Sequence, residues 1–182
     1  MPAIPFAPAA AESISWERFE QLTKQLAAQV EAFEPQLILG LARGGLFPAT
    51  MLSFMLHHEL FPIRLTYGPD ATGDHFVWLV PPPPKVAGRR VLVVHEVAKS
   101  GRTLHLAAKG VRALGAAQVR TAVLYAHTWA NPRPDYVAYT SDALILSPWD
   151  REVLLDGQWS THPEWSASLH ERPDVPPAEV GP

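Results

Sequence analysis

Residues 91–104 run V-L-V-V-H-E-V-A-K-S-G-R-T-L, from Val91 to Leu104. Four apolar residues lead into the polar pair His95-Glu96, and the turn Lys99-Ser100-Gly101-Arg102-Thr103 follows. An apolar run of this length fits a strand buried on both faces. From Thr103 the apolar residues recur at helical spacing, and Gly115 closes the helix after Leu114. The turn therefore joins the end of a buried strand to the start of a helix. Ser100 and Thr103 supply hydroxyls, Gly101 allows close approach, and Lys99 and Arg102 supply positive charge. Helix starts present amides and a favourable dipole to anions. Glu96 can accept hydrogen bonds from vicinal sugar hydroxyls. The combination suits a sugar phosphate.

Working outward, Gln36 to Leu41 is a second apolar run of strand length, followed by Ala42-Arg43-Gly44-Gly45. Glycines here let the backbone approach an anion, Arg43 adds a fork suited to phosphate, and the next helix start is expected to offer free amides. Leu46 to His57 returns to helical periodicity, with Pro48 tolerated in the first turn. Before these, residues 15–33 read as an amphipathic helix. Ser13 or Ser15 is its cap, Trp16, Phe19, Leu22, Leu26 and Val30 form its apolar face, and Pro35 ends it.

Further strands are expected at Pro62 to Tyr67, Phe76 to Val80, Arg90 to Val94, Val119 to Tyr125 and Tyr136 to Tyr139. The Phe76 segment reads as the return arm of a long hairpin around the loop residues Gly68 to Asp74. Strands alternating with helices of about a dozen residues argue for a parallel α/β sheet, in which ligands sit where strands end and helices begin. Both turns fall at such places.

Composition narrows the function classes. The chain has 182 residues, 47% hydrophobic and 18% charged, with net charge −3. That suits one folded domain and offers no basic field for nucleic acid or an anionic membrane. No cysteine is present, which rules out disulfides, thiolate catalysis and cysteine zinc sites and fits a cytoplasmic location. Nothing is apolar for long enough to span a bilayer. The 19 prolines cluster, notably at Pro81 to Pro84. Three parts are expected: an N-terminal arm over 1–12, a domain over 13–160 and a Pro/Glu-rich tail over 161–182. The 8 histidines carry no H-E-x-x-H motif, and the adjacent His57 and His58 are expected to face different sides of a helix. There is no P-loop and no G-x-G-x-x-G.

Residues 91–104 resemble the phosphoribosyl-pyrophosphate (PRPP) motif of type I phosphoribosyltransferases: four apolar residues, two acids, a turn and a [ST]-G-x-[ST] ending. Leu39 to Pro48, L-G-L-A-R-G-G-L-F-P, resembles that family's pyrophosphate loop. The S-W-E-R-F opening and Ser147-Pro148-Trp149-Asp150 are similar to the xanthine–guanine branch. The similarity covers roughly residues 13–150.

The resemblance implies the type I fold, with a mainly parallel sheet of about five strands, flanking helices and a small hood from the N-terminal helix region and residues 140–160. It implies transfer of ribose 5-phosphate from PRPP to a purine-like base, with pyrophosphate released. Magnesium would ride mainly on the substrate, and the protein would be a homodimer or larger. Lys99, Ser100, Gly101, Arg102 and Thr103 would cradle the 5′-phosphate. Glu96 and His95 would face the ribose, Arg43 and Gly44 the pyrophosphate, and Leu144 and Trp149 the base. Lys85 or a neighbour would sit on the lid over 68–84. Glu96 and Arg43 are the catalytic candidates.

Four departures stand out. His95 replaces the first acid, and Lys99 stands where guanine-type enzymes often place an aspartate. Leu144 stands where an aromatic usually stacks on the purine. Leu124-Tyr125-Ala126-His127 lacks the usual lysine. These keep a non-catalytic PRPP or nucleotide sensor on the same fold as the alternative.

Overall fold

The computed structural model describes residues 11–67 and 76–162. The expected arm up to residue 10, the tail from 163 and the loop 68–74 lie outside the described residues. Along the chain, β1 (Ala11–Ser13) precedes α1 (Trp16–Val30), β2 (Leu37–Leu41), α2 (Leu46–Leu56), β3 (Leu60–Tyr67) and β4 (Phe76–Val80). Then come β5 (Arg90–Ala98), α3 (Arg102–Ala113), β6 (Gln118–Ala126), β7 (Tyr136–Thr140), β8 (Leu144–Leu146), β9 (Glu152–Leu155) and β10 (Gln158–Thr161).

The chain divides into two compact units, one of Glu20–Ser141 and one formed by the residues up to Phe19 together with those from Asp142. The larger unit holds a six-stranded sheet in the order β4-β3-β2-β5-β6-β7. Its strands are parallel except β4, which returns antiparallel to β3. The sheet thus has one strand more than the expected five, because the hairpin arm β4 and the short β7 both join it as edges.

The centre of the sheet follows from composition. Every residue of β2 is buried, and β5 pairs with it in parallel register: Leu37 lies opposite Val91 and Gly40 opposite Val94. Continuous apolar strands suit a position covered on both faces. On α3, Leu104, Ala107, Ala108 and Val111 are buried at helical spacing and join one core with Val91 and Val93. The charged Lys109 and the last-turn Arg112 fall outside that stripe.

Ser15 caps α1, its Oγ accepting the Arg18 amide at 3.1 Å. Phe19, Leu22, Leu26 and Val30 are buried as expected, but Trp16 is 54% exposed. It stands at the helix start, where its ring packs edge-on to Phe19 and tilted against Trp149. The smaller unit also pairs β1 with β8 in parallel and β9 with β10 in a hairpin. His57 does not sit on a helix face as expected. It is the left-handed residue that ends α2, with φ 55°, and His58 lies beyond it.

Candidate functional site

Two strand ends and the turns that follow them bring the sequence motifs together. Gly44 and Glu96 are in direct apposition: a β-carbon on Gly44 would lie 1.8 Å from Oε2 of Glu96. Only a glycine leaves room for the carboxylate there. The 42–45 turn and the end of β5 are therefore one surface, on the side of the sheet where α2 packs. The Ala42-Arg43 peptide is cis, and the Arg43 side chain is exposed at the turn.

The helix start behind this turn differs from expectation. The amides of Gly45, Leu46 and Phe47 donate to the carbonyls of Leu41, Arg43 and Gly44, at 3.1, 3.0 and 3.3 Å. The tight turn consumes them, so α2 does not present them to an anion.

The 99–103 turn is different. Among the described residues, the amides of Ser100, Gly101 and Thr103 donate to no protein acceptor. The Arg102 amide makes a local bond, a long one of 3.4 Å to Ser100 Oγ. Gly101 has φ 79°, and a β-carbon there would lie 2.2 Å from the Pro132 carbonyl oxygen. The segment after β6 holds the turn from behind: the Asn131 amide donates to Ser100 O at 3.0 Å, and the His127 amide to Ala98 O at 3.2 Å. Amides without a protein acceptor at a helix start, two hydroxyls and the positive charges of Lys99 and Arg102 are the groups from which anion sites are built.

Because side chains alternate along a strand, His95 and Glu96 point to opposite faces. Glu96 meets Gly44. His95 lines a cavity of about 190 Å³ beneath the 99–103 turn, on the side of α3, together with Thr103 and Leu104. That volume has room for several waters. His95 Nδ1 accepts the Val97 amide at 3.2 Å, so the ring is neutral with its proton on Nε2. Burial lowers its pKa to about 4, in keeping with an uncharged ring.

Tyr67, at the end of β3, is a residue that sequence reasoning misses. Its hydroxyl lies 2.6 Å from Thr103 Oγ1, and the Arg102 guanidinium stands 5.1 Å from its ring centre. Only its position at the edge of the hairpin loop hints at this. Lys85 is placed elsewhere than expected. It pairs with Glu59 and lies 4.4 Å over the Phe61 ring, at the start of β3 rather than near the turns.

Leu144 and Trp149 belong to the smaller unit. Leu144 pairs with Ala11, and the Trp149 ring is packed edge-to-face on Phe19, with centroids 5.1 Å apart. Among the described residues, no group of three or more histidines, cysteines or acids could hold a metal ion. The single carboxylate of Glu96 fits magnesium only when the ion arrives on substrate oxygens, which is how it is commonly bound in phosphate sites.

The fold is an α/β sheet in which the acid Glu96 and the turn 99–103 share the end of one central strand, the place where ligands sit in such sheets. A family model for the phosphoribosyl transferase domain matches residues 12–154, and the chain belongs to that family. Among solved structures, the purine phosphoribosyltransferase from Pyrococcus horikoshii Ot3 is similar at 27% identity and TM-score 0.72, over 80% of this chain and 98% of that one. The Helicobacter pylori xanthine-guanine-hypoxanthine phosphoribosyltransferase shares the fold at 22% identity and TM-score 0.68, covering 76% and 93% of the two chains. A Neisseria gonorrhoeae protein with bound ppGpp shares it at 23% identity and TM-score 0.68, covering 81% and 92%. No curated protein sequence matches the chain.

Proposed function

We propose that the protein transfers ribose 5-phosphate from PRPP to a purine-like base and releases pyrophosphate. The observation that carries this reading is the apposition of Gly44 and Glu96 beside the amide-rich 99–103 turn. Lys99, Ser100, Gly101, Arg102 and Thr103 hold the 5′-phosphate, and Glu96 accepts from the ribose hydroxyls. Arg43 and Gly44 steady the pyrophosphate. In the reaction the bond from ribose C1 to the pyrophosphate oxygen breaks, and a bond from C1 to a base nitrogen forms. That nitrogen's proton leaves to solvent, and the pyrophosphate takes the electron pair. Magnesium carried in by PRPP would supply charge neutralisation at the pyrophosphate. Arg43 supports that departure from the protein side, and Glu96 faces the positive charge that develops on the ribose.

The purine preference draws support from the similar Pyrococcus protein, which is a purine phosphoribosyltransferase. A screen of purine and pyrimidine bases with PRPP and magnesium, read as pyrophosphate release, tests the reading. Release with a purine is expected.

The second reading, a non-catalytic PRPP or nucleotide sensor, is favoured by His95, which puts a neutral ring where the family motif has an acid. Binding of PRPP without release for any base would select it. The family resemblance also supports a homodimer, and Phe54, 75% exposed on the apolar helix α2, is in keeping with one. Sedimentation of the purified chain measures this directly.

A further inference from the structure

We propose that His95 is itself a ligand contact, donating from Nε2 into the cavity beneath the 99–103 turn to an oxygen of the bound phosphate monoester. The inference rests on the reading of that turn as the 5′-phosphate site, and it adds a donor that the family motif does not contain.

Three observations converge on it. The ring lines the cavity together with Thr103 and the turn backbone. Its Nδ1 is committed as the acceptor of the Val97 amide, which leaves Nε2 carrying the proton. Among the described residues, the His95 ring makes no other hydrogen bond. The ring is half-buried, and an N–H donor at a cavity wall with no protein acceptor takes its partner from whatever fills the cavity, water or ligand. Val97, Ala98 and Leu104 form the apolar part of the lining, and Lys99, Ser100, Gly101 and Thr103 of the turn form the rest. The occupant that suits the polar side, with its free amides and its lysine, is an anion with several acceptor oxygens.

The consequence separates this chain from one with an acid at the same position. A carboxylate there faces hydroxyl protons or a cation. A neutral imidazole N–H faces acceptor oxygens and requires no cation between itself and the ligand. The phosphate end of the ligand is therefore held without divalent metal, whatever the pyrophosphate end requires.

The test is calorimetric titration of ribose 5-phosphate into the full chain at pH 7.5 with a chelator present, on the native protein, His95→Leu, His95→Gln and His95→Asp. The native protein is expected to bind. His95→Leu should weaken binding about tenfold or more, the usual effect of losing one donor to a charged acceptor. His95→Gln keeps a donor close to the place of Nε2 and should stay within about threefold. His95→Asp should bind worst, because its charge opposes the phosphate. In parallel, the Nε2 proton resonance of His95 should move on titration, which a merely structural role would not cause. Native affinity in His95→Leu, or an unmoved resonance, overturns the proposal while leaving the phosphate site intact. If the native protein fails to bind ribose 5-phosphate at all, the reading of the 99–103 turn falls, and this inference with it. Should His95→Leu not fold, the resonance and His95→Gln decide alone.

Discussion

The carboxylate of Glu96 occupies the space that a side chain on Gly44 would take, with Oε2 only 1.8 Å and Cδ 2.9 Å from the place of its β-carbon. The two motifs are thus coupled sterically. Gly44→Ala is expected to push the carboxylate aside rather than unfold the protein, because the far end of a glutamate can move. PRPP affinity should fall about tenfold, with the melting temperature lowered by no more than about 3 °C. The measurement is a double-mutant cycle with Glu96→Ala. If Gly44→Ala costs as much binding in the Glu96→Ala background as alone, the coupling is absent.

At Gly101 the obstacle is the protein itself. Sequence reasoning makes this glycine a place for close approach of a ligand. The structure adds that φ is 79° and that the Pro132 carbonyl oxygen would stand 2.2 Å from any β-carbon. Gly101→Val therefore meets the protein's own backbone before it meets any ligand. Destabilisation of about 2–3 kcal/mol is expected, seen as a fall of roughly 4–12 °C in melting temperature. Ser100→Ala should instead weaken phosphate binding at unchanged melting temperature. Equal thermal stability of Gly101→Val and the native protein would contradict the geometry.

The difference between what is legible in the sequence and what is not follows from range. The apolar run Val91 to Val94 and the α3 stripe Leu104, Ala107, Ala108 and Val111 are local patterns, and they reveal the buried strand, the helix and the turn between them. The apposition of Gly44 with Glu96 is reachable only through the family resemblance, since nothing local ties the two turns. Contacts such as Pro132 behind Gly101, or Tyr67 beside Thr103, depend on which strands become neighbours. The α2 amides mislead for another reason. A glycine pair signals a tight turn, but not whether the turn spends its amides on its own carbonyls. Lys85 misleads too, because a lysine beside a proline run carries no sign of the Glu59 that pairs with it.

His95 gives the fold a pH dependence of definite sign. Its folded pKa is lowered to about 4 by burial, against about 6.5 in an unfolded chain. Between those values the unfolded chain binds a proton that the folded chain does not, so stability rises with pH across the window. The contribution is complete above about pH 6.5 and is lost as pH falls towards 4. Protonation of Nδ1 also removes the acceptor for the Val97 amide. The native protein should lose about 2 kcal/mol more than His95→Gln between pH 6.5 and 4.5. Urea unfolding of both proteins across that range measures the difference, and parallel profiles would refute it.

Tyr67 holds the Thr103 hydroxyl from outside the turn, at 2.6 Å. With the tyrosine proton donated to Thr103 Oγ1, the threonine proton is left to point at a phosphate oxygen, and the two hydroxyls act as a relay of aligned donors. Tyr67→Phe removes the outer donor and leaves the ring, with its Arg102 contact, in place. Tyr67 is 39% exposed, so the fold should be unaffected. Affinity for ribose 5-phosphate should fall about three- to tenfold, the range expected for one ordinary hydrogen bond. Thr103→Val should cost at least as much, and adding Tyr67→Phe to it should cost little more, because the tyrosine acts through the threonine. Strictly additive losses would mean that Tyr67 touches the ligand directly. Tighter binding by Tyr67→Phe would mean that the tyrosine competes with the phosphate for the Thr103 hydroxyl instead of orienting it.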